Sequence, residues 1–214
     1  MKRIMKRYHF CILPVIGFLL LTGCNPKRAN TDKDKLPVIE KGSFTDSRDG
    51  HVYKTIKVND QVWLAENLDF KLDKSPYYDD DSNNFSKFGR FYSYENATKA
   101  CPKGWHLPDT NEWMILVNNL GGKKTAGGNL KSVSYWKKSS STTTNSSGFS
   151  ILPSGYYDIK MDQFFLTGEN ATFWCLQGKD SSDQKYLSIY YDDPSVIIIK
   201  PYKSYCLSVR CVKD

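Results

Sequence analysis

Apolar and polar residues alternate in HVYKTIKV, residues 51–58, and again in QVWLAENL, residues 61–68. Three apolar residues fall on one side of the first alternation: Val52, Ile56 and Val58. Asn59-Asp60, between the two runs, tolerates the positive φ of a tight turn. The pattern therefore predicts a β-hairpin. The turn-rich segment before it, DSRDG at 46–50, is interpreted as a structural turn rather than a catalytic Asp/Arg pair.

A helical period follows Pro108. The apolar residues recur at the spacing of one helix face: Trp113, Leu116, Val117 and Leu120. Asp109 can cap this helix, and Glu112, three residues later, can return the bond as a capping box. Gly121-Gly122 ends the predicted helix. A shorter helix is predicted from Tyr94 to Ala100.

The second half of the chain has a different pattern. Lys137 to Ser147 is a run of polar residues without an apolar one, which predicts an exposed, mobile loop. From Gly148 onward, aromatic and β-branched residues alternate with turn residues, which is typical of strands. A hairpin followed by helices and then strands predicts an α+β fold rather than alternating βαβ units. The predicted strands are 173–175, 186–191, 196–199 and 206–212.

The first 23 residues have the order of a bacterial secretory signal. Basic residues come first: Lys2, Arg3, Lys6 and Arg7. The apolar stretch 10–21 is shorter than the roughly 20 residues that a spanning helix needs. It ends in Leu21-Thr22-Gly23-Cys24, which resembles the lipobox of bacterial lipoproteins. We predict a signal peptide over 1–23 and lipidation of Cys24; the alternative is an ordinary signal peptide with a coincidental cysteine.

Removal of the signal changes the charge balance. It takes away four basic residues and no acidic ones, so the formal net charge falls from +7 to +3. A charge of this size, without a dense Lys/Arg stripe, gives no indication of nucleic-acid binding. Residues 24–43 are polar and charged, which predicts a flexible lipidated tether. The remaining residues, 44–214, are predicted to form one domain.

Four cysteines remain in the mature domain: Cys101, Cys175, Cys206 and Cys211. An even number in an exported chain predicts two disulfides, for which three pairings are open. A zinc site is the alternative. The sequence lacks a C-x-x-C knuckle, and His51 and His106 are the only histidines of the mature chain, which disfavours zinc.

Several strings of residues occur together and in order along 44–214: Asp46-Ser-Arg-Asp-Gly-His-Val-Tyr53, Trp63-Leu-Ala-Glu-Asn-Leu68, Phe88-Gly-Arg-Phe-Tyr92, Cys101-Pro-Lys-Gly-Trp-His-Leu-Pro108, Glu112-Trp113, Gly148-Phe149, Leu152-Pro-Ser-Gly155 and Val209-Arg-Cys-Val212. With these motifs the domain resembles the Fibrobacter succinogenes major paralogous domain. That family occurs on exported, often lipidated proteins of Bacteroidetes and Fibrobacteres. The resemblance implies a location more than an activity.

Two more distant resemblances concern the fold. The Gly104-to-Trp113 segment is similar to the corresponding part of formylglycine-generating enzymes. A cysteine before a helix, with a partner in the last strand, resembles C-type lectin-like domains. The resemblance implies a C-type lectin-like fold with an N-terminal hairpin, two helices and C-terminal antiparallel strands. It also implies the pairings Cys101–Cys211 and Cys175–Cys206, of which the second lies outside the family pattern.

Two groups of residues raise the question of metal binding. Asp79, Asp81 and Asn83 lie in an acidic stretch and offer oxygen ligands for calcium, although the stretch does not fit an EF-hand loop. A solvated turn is the alternative. Cys206 and Cys211 have the C-x4-C spacing with which formylglycine-generating enzymes bind copper, so a related copper-dependent oxidase is an alternative function. In one regular strand, however, these two side chains would face opposite sides.

The predicted activity is binding rather than catalysis. The sequence has no G-x-S-x-G string, and a structural role beside Trp105 is the preferred interpretation of His106. Glycosidase carboxylates leave no local signature, so a glycan-active enzyme stays an alternative. Exposed aromatics are platforms for sugar rings or protein partners, and Tyr157, Phe164 and Phe165 are the candidate ligand-binding residues. Loops 137–148 and 156–168 are predicted to form the recognition face.

The sequence thus predicts a non-catalytic binding or structural module of the cell envelope, held to the lipid bilayer by N-terminal acyl chains. Its ligand is predicted to be a glycan or an envelope protein. The residues after Cys24 lack the acidic cluster of surface-exported lipoproteins. This favours the periplasmic side of the outer membrane over the cell surface.

Overall fold

A computed structural model describes residues 36–78, 85–137, 143–178 and 183–214. Within these ranges the strands are β1 Ile39–Thr45, β2 Val52–Val58, β3 Gln61–Leu64, β4 Trp105–His106, β5 Tyr156–Asp158, β6 Gln163–Phe165, β7 Asn170–Cys175, β8 Lys185–Tyr190, β9 Ile197–Ile199, β10 Tyr205–Cys206 and β11 Val212–Lys213. The α-helices are α1 Tyr94–Ala100, α2 Thr110–Asn119 and α3 Ala126–Leu130, and a 3₁₀ helix covers Phe85–Phe88. β structure predominates, and the helices are few and short.

The N-terminal segment is described only from residue 36. The predicted signal peptide, 1–23, and the lipidation site Cys24 lie outside the described residues. In the part of the chain that the structure describes, no helix is long and apolar enough to span a membrane.

The predicted hairpin is confirmed as the antiparallel pair β2–β3. Its turn begins at Asn59 with a φ of 52°, a left-handed conformation that asparagine tolerates better than most residues. β2 contributes to the core from both faces, since Ile56 packs in one core cluster and Tyr53 in another. Val52, assigned by its period to the side of Ile56, is 59% exposed at the strand end.

A strand that composition did not predict precedes the hairpin. β1 pairs along its whole length with β2, from Ile39 opposite Val58 to Thr45 opposite Val52. Most of its side chains are exposed, but Ile39 and Phe44 pack against the two core clusters. Backbone hydrogen bonds and these two contacts hold β1 in place. The predicted tether of residues 24–43 is therefore wrong at its C-terminal end, because β1 begins at Ile39.

The C-terminal strand, β11, lies between β3 and β4 in the first sheet, whose order is β1-β2-β3-β11-β4. Val212 in β11 lies opposite both Trp63 of β3 and His106 of β4. The preceding residue, Cys211, forms a disulfide with Cys101, the residue that ends α1. This bond joins positions 110 residues apart and confirms the first pairing that the resemblance implied.

Both predicted helices are confirmed. The shorter one has the predicted bounds, Tyr94–Ala100. At the start of α2, the Asp109 carboxylate accepts a bond from the Glu112 amide and the Glu112 carboxylate accepts one from the Asp109 amide. The sequence did not predict α3, because AGGNL is short and rich in glycine. Packing fixes it instead: a Cβ on Gly127 would lie 2.6 Å from the Pro194 carbonyl oxygen.

Two three-stranded sheets make up the second half of the fold, with the orders β10-β5-β6 and β7-β8-β9. In the latter sheet β8 pairs antiparallel with both neighbours. Three of the predicted strands are confirmed as β7, β8 and β9, with small changes at their ends: 173–175, 186–191 and 196–199.

The predicted strand 206–212 is wrong as a single element. Its ends belong to different sheets, β10 and β11. Between them the backbone changes partner at successive residues, since Leu207 bridges Tyr92 and Ser208 bridges Phe173. The β-rich composition of this segment predicted extended backbone but not the change of sheet.

The core consists of two clusters on either side of β7, which is buried along its whole length. One cluster centres on Trp63, Trp113 and Phe149, whose ring centroids lie between 4.7 and 6.1 Å apart. Phe173 points into this cluster and Trp174 into the other, since consecutive residues of a strand face opposite sides. Residues of α2 and α3 belong to the first cluster and residues of α1 to the second, and the first sheet contributes to both.

The predicted pairing of Cys175 with Cys206 is wrong, because both residues are free and buried. The reason lies in the parallel bridge between Phe173 and Ser208. Cys175 lies two residues after Phe173, whereas Cys206 lies two residues before Ser208. Along parallel segments this displaces the cysteines by four residues, or roughly 13 Å, whereas a disulfide needs Cα atoms within about 7 Å.

Candidate functional site

The three predicted ligand-binding aromatics lie on the hairpin β5–β6, on different faces. Tyr157 lies opposite Phe164 in the register, and Tyr156 lies opposite Phe165. Directly opposed residues share a face, and consecutive residues alternate. The hairpin therefore brings Tyr157 and Phe164 together and directs Phe165 to the other side.

Tyr157 is supported from below by other rings. Its ring centroid is 4.9 Å from that of Phe164, which lies 5.1 Å from Phe91 and 4.6 Å from Tyr78. Phe91 is fully buried, so Phe164 links Tyr157 to the core. The Tyr157 hydroxyl donates to Asp162 at the hairpin turn, and this bond raises the pKa of Tyr157 to about 12. The half-buried ring is thus fixed at both its face and its hydroxyl.

Tyr157 also forms one wall of a cleft of about 670 Å³, which we call the hairpin cleft. Its other described lining residues are Ile159 and the segment 71–76, KLDKSP. Two side chains anchor that segment: the Arg90 guanidinium donates to the Ser75 carbonyl, and the Asn96 amide donates to the Asp73 carbonyl. The cleft has an apolar wall and a rim of charged side chains from Lys71, Asp73 and Lys74.

The opposite side of the hairpin carries a second aromatic surface. Tyr156 stacks on Phe165 with an interplanar angle of 19° and lies 4.3 Å from Tyr205, which lies 5.4 Å from Tyr202. We call these four residues the tyrosine face. Sequence reasoning missed Tyr202 and Tyr205, because the pairing of β10 with β5 that brings them here is not visible in local pattern.

The other predicted recognition loop does not reach the hairpin cleft in its described part. Residues 138–142 lie outside the described residues. Ser147 is buried, and its hydroxyl donates to the Asn129 carbonyl at α3. Residues 145–148 line a different cleft, of about 740 Å³. The two predicted loops meet at Lys137, whose amide donates to the Gly168 carbonyl, and their common recognition face stays a prediction.

This second cleft, which we call the Arg210 cleft, lies between the first sheet and the loop 145–152. Arg210 is fully buried at its base. Burial lowers the pKa of Arg210 to about 9, and Glu66 partly opposes this effect, so the guanidinium is charged at neutral pH. The cleft is also lined by three lysines and two carboxylates: Lys41, Lys54, Lys87, Glu66 and Asp69.

The metal predictions have separate outcomes. The calcium candidates Asp79, Asp81 and Asn83 lie outside the described residues. Among the described residues, no group of three or more His, Cys, Asp or Glu side chains is arranged to hold a metal. The copper alternative with Cys206 and Cys211 is wrong, because the disulfide to the α1 end uses the Cys211 sulfur.

His106 joins three parts of the fold. Its Nδ1 lies 2.6 Å from Asp214 Oδ1 and its Nε2 lies 2.8 Å from Glu112 Oε1. Burial lowers the pKa of His106, but the bonds to the two carboxylates outweigh this effect, so the pKa is raised. The imidazole connects β4, the start of α2 and the residue after β11. These contacts support the structural interpretation of His106.

Comparison with known proteins identifies one relationship. The family model described as the Fibrobacter succinogenes major domain matches residues 56–213, more than half of the chain. Searches of curated proteins and of solved structures give no match. The matched range includes the hairpin cleft and Arg210, whereas β1 with Lys41 lies outside it.

Proposed function

The chain belongs to the Fibrobacter succinogenes major domain family, and from this membership and the geometry of the hairpin cleft we propose that it is a saccharide-binding module of the cell envelope. In this proposal the ligand lies in the hairpin cleft against Tyr157. The chain is held to the outer membrane by acyl chains on Cys24. The cleft serves binding rather than catalysis.

The observation that carries the proposal is the position of Tyr157. Its ring is half-buried, is supported by Phe164 and faces a concave space of the size usual for small ligands. One face of a sugar ring consists of C–H groups, which pack well on an aromatic ring. Because Phe164 and Asp162 already hold Tyr157, binding would cost little further ordering of its side chain.

The rim supplies the polar contacts that sugars need. Lys71, Asp73 and Lys74 offer both donors and acceptors for hydroxyl groups. Among the described lining residues Asp73 is the single carboxylate, whereas most glycosidases use a pair. This composition favours binding over hydrolysis.

The fold assignment that we propose is C-type lectin-like. It is supported by the disulfide between the end of α1 and the last strand. The order of hairpin, helices and late strands agrees with it as well. A sugar-binding role is one that such a fold accommodates on its late segments, where β5 and β6 lie.

The lipid anchor is tested by replacing Cys24 with alanine. The wild-type chain should fractionate with membranes and the Cys24→Ala variant should not. A variant that remains with the membrane would contradict the anchor. Protease treatment of intact cells then separates the two faces of the outer membrane: protection agrees with the periplasmic side, which we favour, and release places the domain at the surface.

Binding is tested by presenting the purified mature chain to a glycan array. Tyr157→Ala should lower the signal for bound saccharides about tenfold or more, since stacked aromatic anchors contribute on the order of 2 kcal/mol. Tyr157→Phe, which keeps the ring, should retain most of it. Tyr202→Ala is the control, because Tyr202 is 73% exposed on the other face of the hairpin. An array without bound saccharide, or binding indifferent to Tyr157→Ala, would contradict the proposal.

A further inference from the structure

The Arg210 cleft contains a buried positive charge to which no carboxylate is hydrogen-bonded among the described residues. Every bond that the guanidinium donates goes to a neutral oxygen: Asn67 Oδ1 and the carbonyls of Leu64, Phe149 and Ser150. These bonds use four of the five N–H groups of arginine. Its charge lies over the rings of Phe149 and Phe173, at 4.9 and 5.7 Å. A buried charge is normally paired.

The two carboxylates of this cleft are engaged elsewhere. Glu66 accepts from both the backbone amide and the Nζ of Lys54. Asp69 lies 3.6 Å from the Arg90 guanidinium. Each carboxylate is thus paired with a cation other than Arg210, and Glu66 offsets the charge at the base only through its field.

Two further lysines at the cleft add positive charge. Lys87 Nζ donates to the Tyr135 hydroxyl. The Lys41 side chain passes over Gly148, with its Cε 3.3 Å from where a Cβ on that glycine would lie. Neither lysine forms an ion pair within the described part of the chain. With Arg210 below and these lysines above, the cleft has a positive potential that its low-dielectric walls concentrate.

The remaining lining residues of the Arg210 cleft suit a polar, hydroxyl-rich ligand. The His51 imidazole offers a donor and an acceptor beside Ile56 and Ala65. Asn145 and Ser146 already bond to Ser150 and Asn129, but their oxygens can accept a further bond. Asp69 Oδ1, the oxygen that lies 3.6 Å from Arg90 Nε, is buried and has no donor at hydrogen-bond distance among the described residues. A ligand hydroxyl could supply that bond.

A series of rings links this cleft to the hairpin cleft. Phe164 contacts Tyr78 at 4.6 Å, Tyr78 contacts Phe88 at 6.4 Å, and Phe88 contacts Tyr135 at 6.2 Å. Lys87 Nζ lies 5.5 Å above the Tyr135 ring. The aromatic support of one cleft therefore continues to the edge of the other.

We propose that the Arg210 cleft binds the negatively charged group of a saccharide, a carboxylate or a sulfate, while neutral sugar units extend toward the hairpin cleft. This inference rests on the proposed function for the saccharide nature of the ligand. The two exposed lysines, Lys41 and Lys87, would contact the anionic group directly. The buried Arg210 would attract it through its electric field.

The test is a titration of the mature chain with three oligosaccharides of equal length: an oligogalacturonide, a sulfated galactan fragment and a neutral galactan fragment. Arg210 is part of the fold and its replacement would risk unfolding, so the variant is Lys41→Glu/Lys87→Glu. The matched control is Lys123→Glu/Lys124→Glu, which changes the net charge equally on exposed residues away from the cleft.

At least one charged oligosaccharide should bind about tenfold more tightly than the neutral one, with an affinity that falls as salt rises. Lys41→Glu/Lys87→Glu should remove that advantage, and the control should keep it. The comparison of the two charged arms identifies carboxylate or sulfate as the preferred group. Equal affinity for charged and neutral fragments, or an unchanged affinity in Lys41→Glu/Lys87→Glu, would overturn the inference.

Tyr157→Ala separates this inference from the proposed function. If it weakens all three fragments while the lysine variant has no effect, the hairpin cleft binds saccharide and the charge inference fails. If the lysines matter and Tyr157 does not, the Arg210 cleft binds the anion and the hairpin-cleft proposal fails.

Discussion

Tyr156 and Tyr157 are neighbours in the chain, yet their rings lie on opposite faces of the hairpin β5–β6. Tyr157 packs on Phe164 and faces the hairpin cleft, whereas Tyr156 stacks on Phe165 and contacts Tyr205. Two adjacent tyrosines therefore lie on two different surfaces, Tyr157 in the hairpin cleft and Tyr156 on the tyrosine face. This pair offers a matched comparison of the two surfaces as ligand sites.

The close approach of backbone at Gly155 makes the base of this hairpin sensitive to one methyl group. A Cβ at Gly155 would lie 2.0 Å from the Phe165 carbonyl oxygen, at a φ of +68°. Gly155→Ala should lower the free energy of unfolding by more than about 3 kcal/mol, measured by urea unfolding. Gly50→Ala is the control: its φ is +79° with no atom within 4 Å, so it should cost about 1 kcal/mol. Equal losses would contradict the steric account.

The disulfide between Cys101 and Cys211 should contribute strongly to stability. It closes a loop of 110 residues. A disulfide across a loop of that size restricts the unfolded chain and so raises the free energy of unfolding by about 3–5 kcal/mol. Cys101→Ser/Cys211→Ser should lose that amount in urea unfolding. The wild-type chain unfolded with a reductant should match the double variant. An unchanged midpoint in either case would show that the bond does not stabilise the fold.

The two free cysteines, Cys175 and Cys206, should not react with thiol reagents until the domain unfolds. Both are fully buried, and burial raises the pKa of Cys175 and of Cys206 to about 12 in each case, so neither forms a thiolate at neutral pH. A thiol reagent should label neither residue in the native mature chain and both in urea without a reductant. Absence of label in urea would mean that Cys175 and Cys206 are bonded.

His106 should make stability depend on pH. Its folded-state pKa is raised, so its contribution is fully present below the unfolded pKa of about 6.5 and is lost as pH rises through the folded-state value. The effect should not exceed about 1 kcal/mol, because the side chain is 37% exposed. Urea midpoints at about pH 5.5 and about pH 8.5 should differ more for the wild type than for His106→Gln. Equal differences would refute the role of the imidazole.

Local sequence signals predicted the elements whose stabilising contacts are themselves local. The capping box of Asp109 and Glu112 and the turn at Asn59 are formed by residues close in the chain, so their pattern was sufficient. β1 was not predicted because most of its side chains are exposed and because its hydrogen bonds depend on its partner, β2. α3 was not predicted because its position depends on packing of Gly127 against the Pro194 backbone, which is distant in the chain.

The candidate site was predicted only in part, because most of its contacts join residues that are distant in the chain. The period of two in a strand already places Tyr157 and Phe165 on different faces once the hairpin register is known, but the sequence does not show that register. The contacts of Tyr205 and the burial of Arg210 depend on segments more than 40 residues away. Such long-range pairing leaves no local periodicity.

The central claim is that saccharide binds against Tyr157. Isothermal titration with the oligosaccharide that binds best on the array measures this directly for the wild type, Tyr157→Ala and Tyr156→Ala. We predict that Tyr157→Ala weakens binding about tenfold or more while Tyr156→Ala stays within about twofold of the wild type. An unchanged affinity in Tyr157→Ala, together with a loss in Tyr156→Ala, would contradict the claim and move the site to the tyrosine face.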